Sequence, residues 1–393
     1  MKYLTVFMIA FGLYFSMFGT LQPNIIEYYN LDLHQASFFI IVQNIGTVIS
    51  MIATVLVVDR LNKNRLIGFM ILLMGLFLII MGIAPHFFVL LAVWSILGVF
   101  TSMSNNACSA YCSDLYGPER SKHLAILHSF YGFGSLLGPT YAAWMLRTNK
   151  GWNGSYGSFG IIIFAIGILF FVSMFIKKEP VPMITNKDKN GNRKKISFRK
   201  LLGNKNMLAL ALMSICVSGF QLLPSWIPTY LNRQDAIYYT LDRCSLIMTL
   251  YFIGMVISRL SYSYLSKWLS PHKYVKLSSL ISAAILLFTL LIQASWLWYI
   301  CLFSLGLVSG ALYTAQHALA CDEYPEYSAS AMSIITLSTA LGSILINALI
   351  GYIADAGFFT AAMFIPALAI AVAAIIISVA YTPMNKNVYE SMK

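Results

Sequence analysis

Apolar stretches of roughly 20 residues follow one another along almost the whole chain, and the only extended polar segment, Lys177 to Lys205, divides them six and six. Each stretch can cross about 30 Å of hydrocarbon as a helix. The boundaries predict spans over 3–28, 34–58, 65–84, 87–112, 122–146, 158–176, 207–231, 243–262, 274–293, 296–320, 329–353 and 357–381. They are too long, and alternate too little, for the strands of a membrane barrel. The pattern therefore predicts an all-α integral membrane protein with twelve transmembrane helices in two six-helix bundles. The expected units are an N-terminal bundle over 1–176, a basic linker over 177–206, a C-terminal bundle over 207–381 and a tail over 382–393. The first stretch exceeds a usual signal-peptide core and lacks a convincing cleavage site, so it is expected to be a permanent span.

Polar residues are spread unevenly among the spans. Span 3 (Leu66 to Gly82) carries none, and spans 6, 9 and 12 offer little beyond Ser and Thr. Every third helix is therefore expected to face lipid, and the triplets suggest three-helix units repeated within each half. In span 1, Ser16, Thr20, Asn24 and Glu27 share one helical face, and span 7 repeats the stripe with Ser214, Ser218, Gln221, Ser225 and Thr229. Ser and Thr alone can serve as interhelical glue. Amides are harder to absorb, because an unpaired one in hydrocarbon costs about 2–7 kcal/mol. Asn24, Gln43, Asn105, Asn106, Gln221, Gln316 and Asn347, with His128 and His317, are thus expected to converge on a wet central cavity. There they become candidates for substrate binding, since amides both donate and accept. Trp226 and Tyr230 are the candidate aromatic wall.

Composition and charge narrow the class. With 59% hydrophobic and 10% charged residues and a mean hydropathy of +0.74, a soluble fold could not hide its apolar surface. The net charge of +12 would suit nucleic acid, yet 22 of the 26 basic residues fall on the side of the two termini, leaving Arg147, Lys150, Arg233 and Arg243 on the other. That bias predicts cytoplasmic termini in the cell membrane, with lipid rather than nucleic acid as the surrounding partner. Glu27 is the one acidic residue within a span, near its outer end, and no Lys or Arg is placed at mid-depth, Arg259 being counted with the basic helix ends. Fixed intramembrane charges mark ion pathways or charged substrates. Their absence predicts a small neutral polar solute. His128, His317 and Glu27 are the candidates for proton coupling, imidazole being the side chain that titrates near neutrality. Cys108 and Cys112 lie one turn apart but lack His or carboxylate partners, so packing is expected rather than a metal site. No cofactor is expected, and the chain is expected to act as a monomer.

With these features the chain resembles the major facilitator superfamily along nearly its whole length. Asp59-Arg60-Leu61-Asn62-Lys63-Asn64-Arg65 after span 2 is similar to that family's cytoplasmic loop motif, with Val55 and Asn62 in place of its glycines. The resemblance implies a gating role for Asp59 and Arg60. A degenerate basic counterpart runs from Arg259 to Lys273. In span 5, Gly134, Gly138 and Pro139 look like the family's GxxxGP element, which implies close helix approach, a bend and a part in gating, and is associated with exporters. Within the superfamily the chain is most similar to the fucose permease and glucose/mannose branch of sugar symporters, through Leu31 to Ser37, Gly117 to Ser121, Leu127 to Gly132 and Ser225 to Leu231. The fucose-type proton symporters carry acids in helices 1 and 4, where ungapped counting puts Gly19 and Asn106.

The expected function is secondary or facilitative transport of a small polyhydroxylated solute such as a sugar, by alternating access, with a proton as candidate co-substrate. The alternative is efflux of drugs, metabolites or lipid-like amphipaths, favoured by the span 5 element and by 14% aromatic residues. A membrane enzyme would need clustered nucleophiles, acids or metal ligands, and Asp114/Glu119 and Asp322/Glu323/Glu326 have no His or Cys in ligand spacing.

Overall fold

A computed structural model describes residues 2–53, 63–83, 85–116, 120–148, 150–176, 198–233, 239–265, 268–324 and 328–382. The first six spans are α1 (Lys2–Tyr29), α2 (Leu33–Ala53), α3 (Lys63–Gly82), α4 (Phe87–Tyr116), α5 (Arg120–Arg147) and α6 (Gly151–Ile176). A short helix, α7 (Phe198–Leu202), precedes the second six. Span 7 is α8 (Lys205–Gln221) with α9 (Leu223–Arg233), span 8 is α10 (Leu241–Leu265) and span 9 is α11 (Pro271–Ile292). Span 10 is α12 (Leu297–Ser309) with α13 (Leu312–Glu323), span 11 is α14 (Ser328–Asp355) and span 12 is α15 (Phe359–Val379). Asp59, Arg60, most of the linker and the tail beyond 382 lie outside the described residues.

Both interrupted spans have local causes. In span 7, Pro224 has no N–H to return to the preceding turn. Leu222 donates to Gly219 O at 3.3 Å instead, and Ser225 donates to Leu222 O at 3.0 Å, restarting the helix. In span 10 the chain loosens at Gly310 and Ala311, and the released carbonyls are taken up by side chains of neighbouring helices. Ser278 Oγ and Tyr274 Oη donate to Val308 O at 2.6 and 3.0 Å, and Arg259 Nε donates to Gly310 O at 3.0 Å. Broken helices survive in a bilayer only when such partners are at hand.

Ten of the described segments are long and apolar enough to cross a membrane. The two spans outside that set, α2 and α5, hold Gln43, Asn44 and His128, whose side chains or backbone turn toward the space between the halves. Packing repeats between the bundles. In the first, α1 packs on α5, α2 on α4 and α3 on α6; in the second, α8 packs on α14, α10 on α12 and α11 on α15. The corresponding spans 2·4 and 8·10 both meet through glycines. A methyl at Gly46 or Gly98 would strike the Ser95 or Gln43 carbonyl, and one at Gly254 or Gly306 the Phe303 or Tyr251 carbonyl. Spans 3, 6, 9 and 12 form the two outer pairs, and Leu76, Ile161, Leu169, Phe288, Leu291, Leu368 and Ile375 are exposed on them. Such side chains suit contact with lipid tails.

The halves meet where α2 packs on α14, α5 on α10 and α1 on α9. The end bearing the loop between spans 1 and 2 is sealed by cross-half bonds. Leu33 N donates to Asp355 Oδ1 at 3.2 Å, Asn347 Nδ2 to Ser37 O at 2.6 Å and Thr229 Oγ1 to Gln22 Oε1 at 3.0 Å. Arg147 pairs with Asp242 at 2.9 Å, although both side chains are more than half exposed and such a pair is worth about 0–1 kcal/mol. The sealing therefore rests on the buried bonds and on backbone packing.

Candidate functional site

Inside the sealed end, spans 1, 2, 4, 7 and 11 enclose a cavity of about 190 Å³. Gln43 on α2, Asn105 on α4 and Gln221 at the end of α8 reach it from three directions. Their side-chain amides have no hydrogen-bond partner among the described residues, so they are free to meet a solute. The break after Gln221 is what lets that residue, Leu222 and Ser225 all face the chamber. Hydroxyls come from Thr47, Thr101, Ser102, Thr336, Thr339 and Ser343, and an aromatic side from Phe11, Tyr14, Phe15, Phe18 and Trp94. Phe18 and Trp94 meet edge to face at 5.1 Å.

The remaining sequence candidates are distributed as follows. Asn347 is fully buried, accepting from Trp226 Nε1 at 2.8 Å while donating to Ser37 O, so both ends of its amide are used in holding the halves together. Trp226 and Tyr230 are fully buried away from the chamber, packed on Phe359 at 5.9 and 5.3 Å. The aromatic side that does face the chamber comes from spans 1 and 4, where Phe11, Phe15 and Phe18 were indistinguishable from their apolar surroundings in the sequence. Gln316 is fully buried outside the chamber lining, with neither amide atom partnered among the described residues. Asn24 is part-buried near the sealed end, its Oδ1 without a partner, and Asn106 is part-buried beside the lining. Glu27 is exposed in an outer cleft of about 420 Å³ shared with Arg147, Asn232 and Asp242, and is not part of the chamber lining. Of the span 5 element, Gly134 and Gly138 press α5 onto α1 within one half, while Pro139 O accepts from Ser245 Oγ of the other half at 2.8 Å.

On the terminal side of the chamber lies a second group. His128 Nε2 stands 3.4 Å from Ser109 Oγ, and its ring meets Tyr313 at 6.5 Å. His317 Nδ1 is 2.8 Å from Tyr313 O, which can only accept, so that nitrogen carries the proton; Nε2 turns to Thr336 Oγ1 at 3.4 Å. Beside His128 enters Arg259. The sequence placed it among solvated basic helix ends, but it lies within α10 and is part-buried between the halves. Its Nη1 donates to His128 O at 3.2 Å and its guanidinium lies 5.3 Å from the Tyr131 ring centroid. The expectation that the space between the halves is free of fixed charge is corrected by this residue. Its position near the end of a span, where basic side chains ordinarily reach solvent, concealed it. Among the described residues no group of His, Cys, Asp and Glu could hold a metal ion.

Two bundles with one pairing scheme around a polar chamber define a polytopic membrane transporter of the two-bundle class. The chain belongs to the Major Facilitator Superfamily, whose sequence model matches residues 3–240 and 236–390. It is 24% identical over 335 residues to the Protein TsgA homolog of Buchnera aphidicola subsp. Schizaphis graminum, covering 83% of this chain and 81% of that protein. Among solved structures it is similar to the nucleoside transporter NupG, with a TM-score of 0.74 at 14% identity over 97% of this chain and 99% of that one. It is also similar to the E. coli fucose:proton symporter FucP, with a TM-score of 0.65 at 16% identity over 97% of both. At these identities the structural likeness speaks to the fold. The protein is thus a multi-pass transporter of the cell membrane.

Proposed function

We propose that the chain carries a small polyhydroxylated solute, a sugar or related compound, by alternating access, with its termini in the cytoplasm. In that reading the structure is the state closed to the outside. The observation that carries it is the set of three amides, Gln43, Asn105 and Gln221, which have no partner among the described residues and converge on one chamber. Amides and hydroxyls complement the donor and acceptor pairs of sugar hydroxyls. The volume supports the same reading over drug efflux, since about 190 Å³ falls below the roughly 300–1,000 Å³ of sites for drug-sized ligands. The glycines of the span 5 element are occupied with packing α5 on α1, which weakens their vote for export. Purified protein in liposomes, offered a panel of labelled sugars and related compounds with and without a proton gradient, tests the proposal. Saturable uptake of a member of that panel is expected, and export of an amphipath with uptake of none would refute it.

A further inference from the structure

Arg259 stands on the terminal side of the chamber with its charge unmatched. Its bonds to Gly310 O and His128 O satisfy two N–H groups, yet carbonyls and the Tyr131 ring cancel only part of a full positive charge. Among the described residues no carboxylate pairs with it, and Nη2 has no acceptor. A guanidinium stays protonated at any physiological pH. An ionised group within a membrane bundle is costly and by default marks a functional site. The group packs behind the chamber wall. Phe11, a wall residue, lies 5.1 Å from Tyr131, and Thr336, another, is the neighbour of His317.

We propose that Arg259, beside His128, is an anion subsite bordering the chamber, and that the solute is a small hydroxylated carboxylate such as a sugar acid. This rests on the transporter reading above and gives the solute its charge. The carboxylate meets Arg259, while the hydroxyl-bearing carbons meet Gln43, Asn105 and Gln221. A planar guanidinium matches a carboxylate through paired N–H···O bonds. One fixed cation also balances a monoanion, whereas a phosphate ester, at about −1.5 to −2 near neutral pH, would enter with charge left over. A purely bracing role for Arg259, holding the break carbonyl of Gly310, is the competing explanation, and it predicts no preference for charge in the solute.

The test is competition in proteoliposomes, with labelled gluconate and labelled glucose as alternative tracers. Unlabelled gluconate, glucuronate, glucose, glucose phosphate and inorganic phosphate are the competitors. Saturable gluconate uptake is expected, inhibited by the two hydroxy acids and at least tenfold less by glucose or the phosphates. Arg259→Gln, which keeps hydrogen-bond donors but not charge, should lower gluconate uptake about 30-fold or more, as for removal of one partner of a buried charge pair. Arg259→Lys should retain part of it. Glucose uptake indifferent to gluconate would overturn the anion subsite while leaving the sugar-transport reading intact, and so would an Arg259→Gln protein that takes up gluconate as the parent does. Saturable uptake of neither tracer would overturn the anion subsite, and uptake of no member of the sugar panel would overturn the transport reading as well. Should Arg259→Gln fail to fold, the competitor ranking of the unaltered protein decides.

Discussion

Gly19 on α1 lies against the carbonyl of Pro224 on α9, so close that a single methyl at position 19 would overlap the carbonyl oxygen. The contact joins the break in span 7 to the crossing of the two halves. It also falls where the resemblance to fucose-type symporters places an intramembrane acid, so in this closed state a carboxylate there has no room. Overpacking a well-fitted contact costs roughly 1–3 kcal/mol, which shifts a two-state population roughly 5- to 150-fold. Gly19→Ala is therefore expected to express but to disfavour the closed arrangement. Uptake should fall, and labelling of a Ser225→Cys probe from the loop side should rise. Gly19→Asp is expected to be inactive rather than newly proton-coupled. Unchanged uptake by Gly19→Ala would remove the crossing from the transport cycle.

The chamber amides give a prediction of the opposite kind. The side chains of Gln43, Asn105 and Gln221 have no hydrogen-bond partner among the described residues, so truncating any of them to Ala should leave thermal stability within about 0.5 kcal/mol of the parent, as for substitutions away from packed features. Each lost hydrogen bond to a solute is worth about 0.5–1.5 kcal/mol. Transport KM should rise roughly two- to twelvefold per residue. Falling melting temperatures with unaltered KM would mean that the amides hold the fold and not a solute.

Asn347 should behave in reverse, although the sequence offered it beside those three. Its amide accepts from Trp226 and donates to Ser37 across the halves, and it is fully buried. Asn347→Ala leaves the Trp226 N–H and the Ser37 carbonyl without that partner, a cost of about 1–3 kcal/mol for each buried group. A lower melting temperature and greater loop-side accessibility of the chamber are expected. A protein of parental stability whose KM alone has risen would return Asn347 to the binding site.

These contrasts show what the chain reveals before folding. Span number and the outer position of spans 3, 6, 9 and 12 follow from where polar residues are missing, and lipid imposes that pattern directly. Asn347 and Gln221 read alike along the sequence because both are amides on polar stripes; only the packing of α14 on α2 supplies Asn347 with two partners. Trp226 and Tyr230 looked like a wall, but Phe359 covers them. Phe11, Phe15 and Phe18 do form one, and an apolar background gave no means of telling them from lipid-facing residues. Arg259 was hidden by its distance along α10, where a basic side chain fits the orientation rule whether or not it turns inward.

The two histidines allow proton coupling to be tested at an imidazole rather than at a carboxylate. His317 gives its Nδ1 proton to Tyr313 O, so the nitrogen able to gain a proton is Nε2, beside Thr336 on the chamber wall. His128 presents Nε2 to Ser109 and its ring to Tyr313, placing a second imidazole on the same aromatic side chain. Gln preserves hydrogen bonding at either site but cannot carry a proton. If coupling runs through an imidazole, replacing that residue by Gln abolishes accumulation of solute against its gradient under an imposed proton gradient. Exchange of labelled for unlabelled solute, which needs no net proton movement, persists at near-parental rate. The paired measurement separates a coupling residue from a structural one, because loss of packing would depress both rates together. Accumulation that survives His128→Gln, His317→Gln and the double replacement would exclude coupling through either ring and leave transport driven by the solute gradient or by another group.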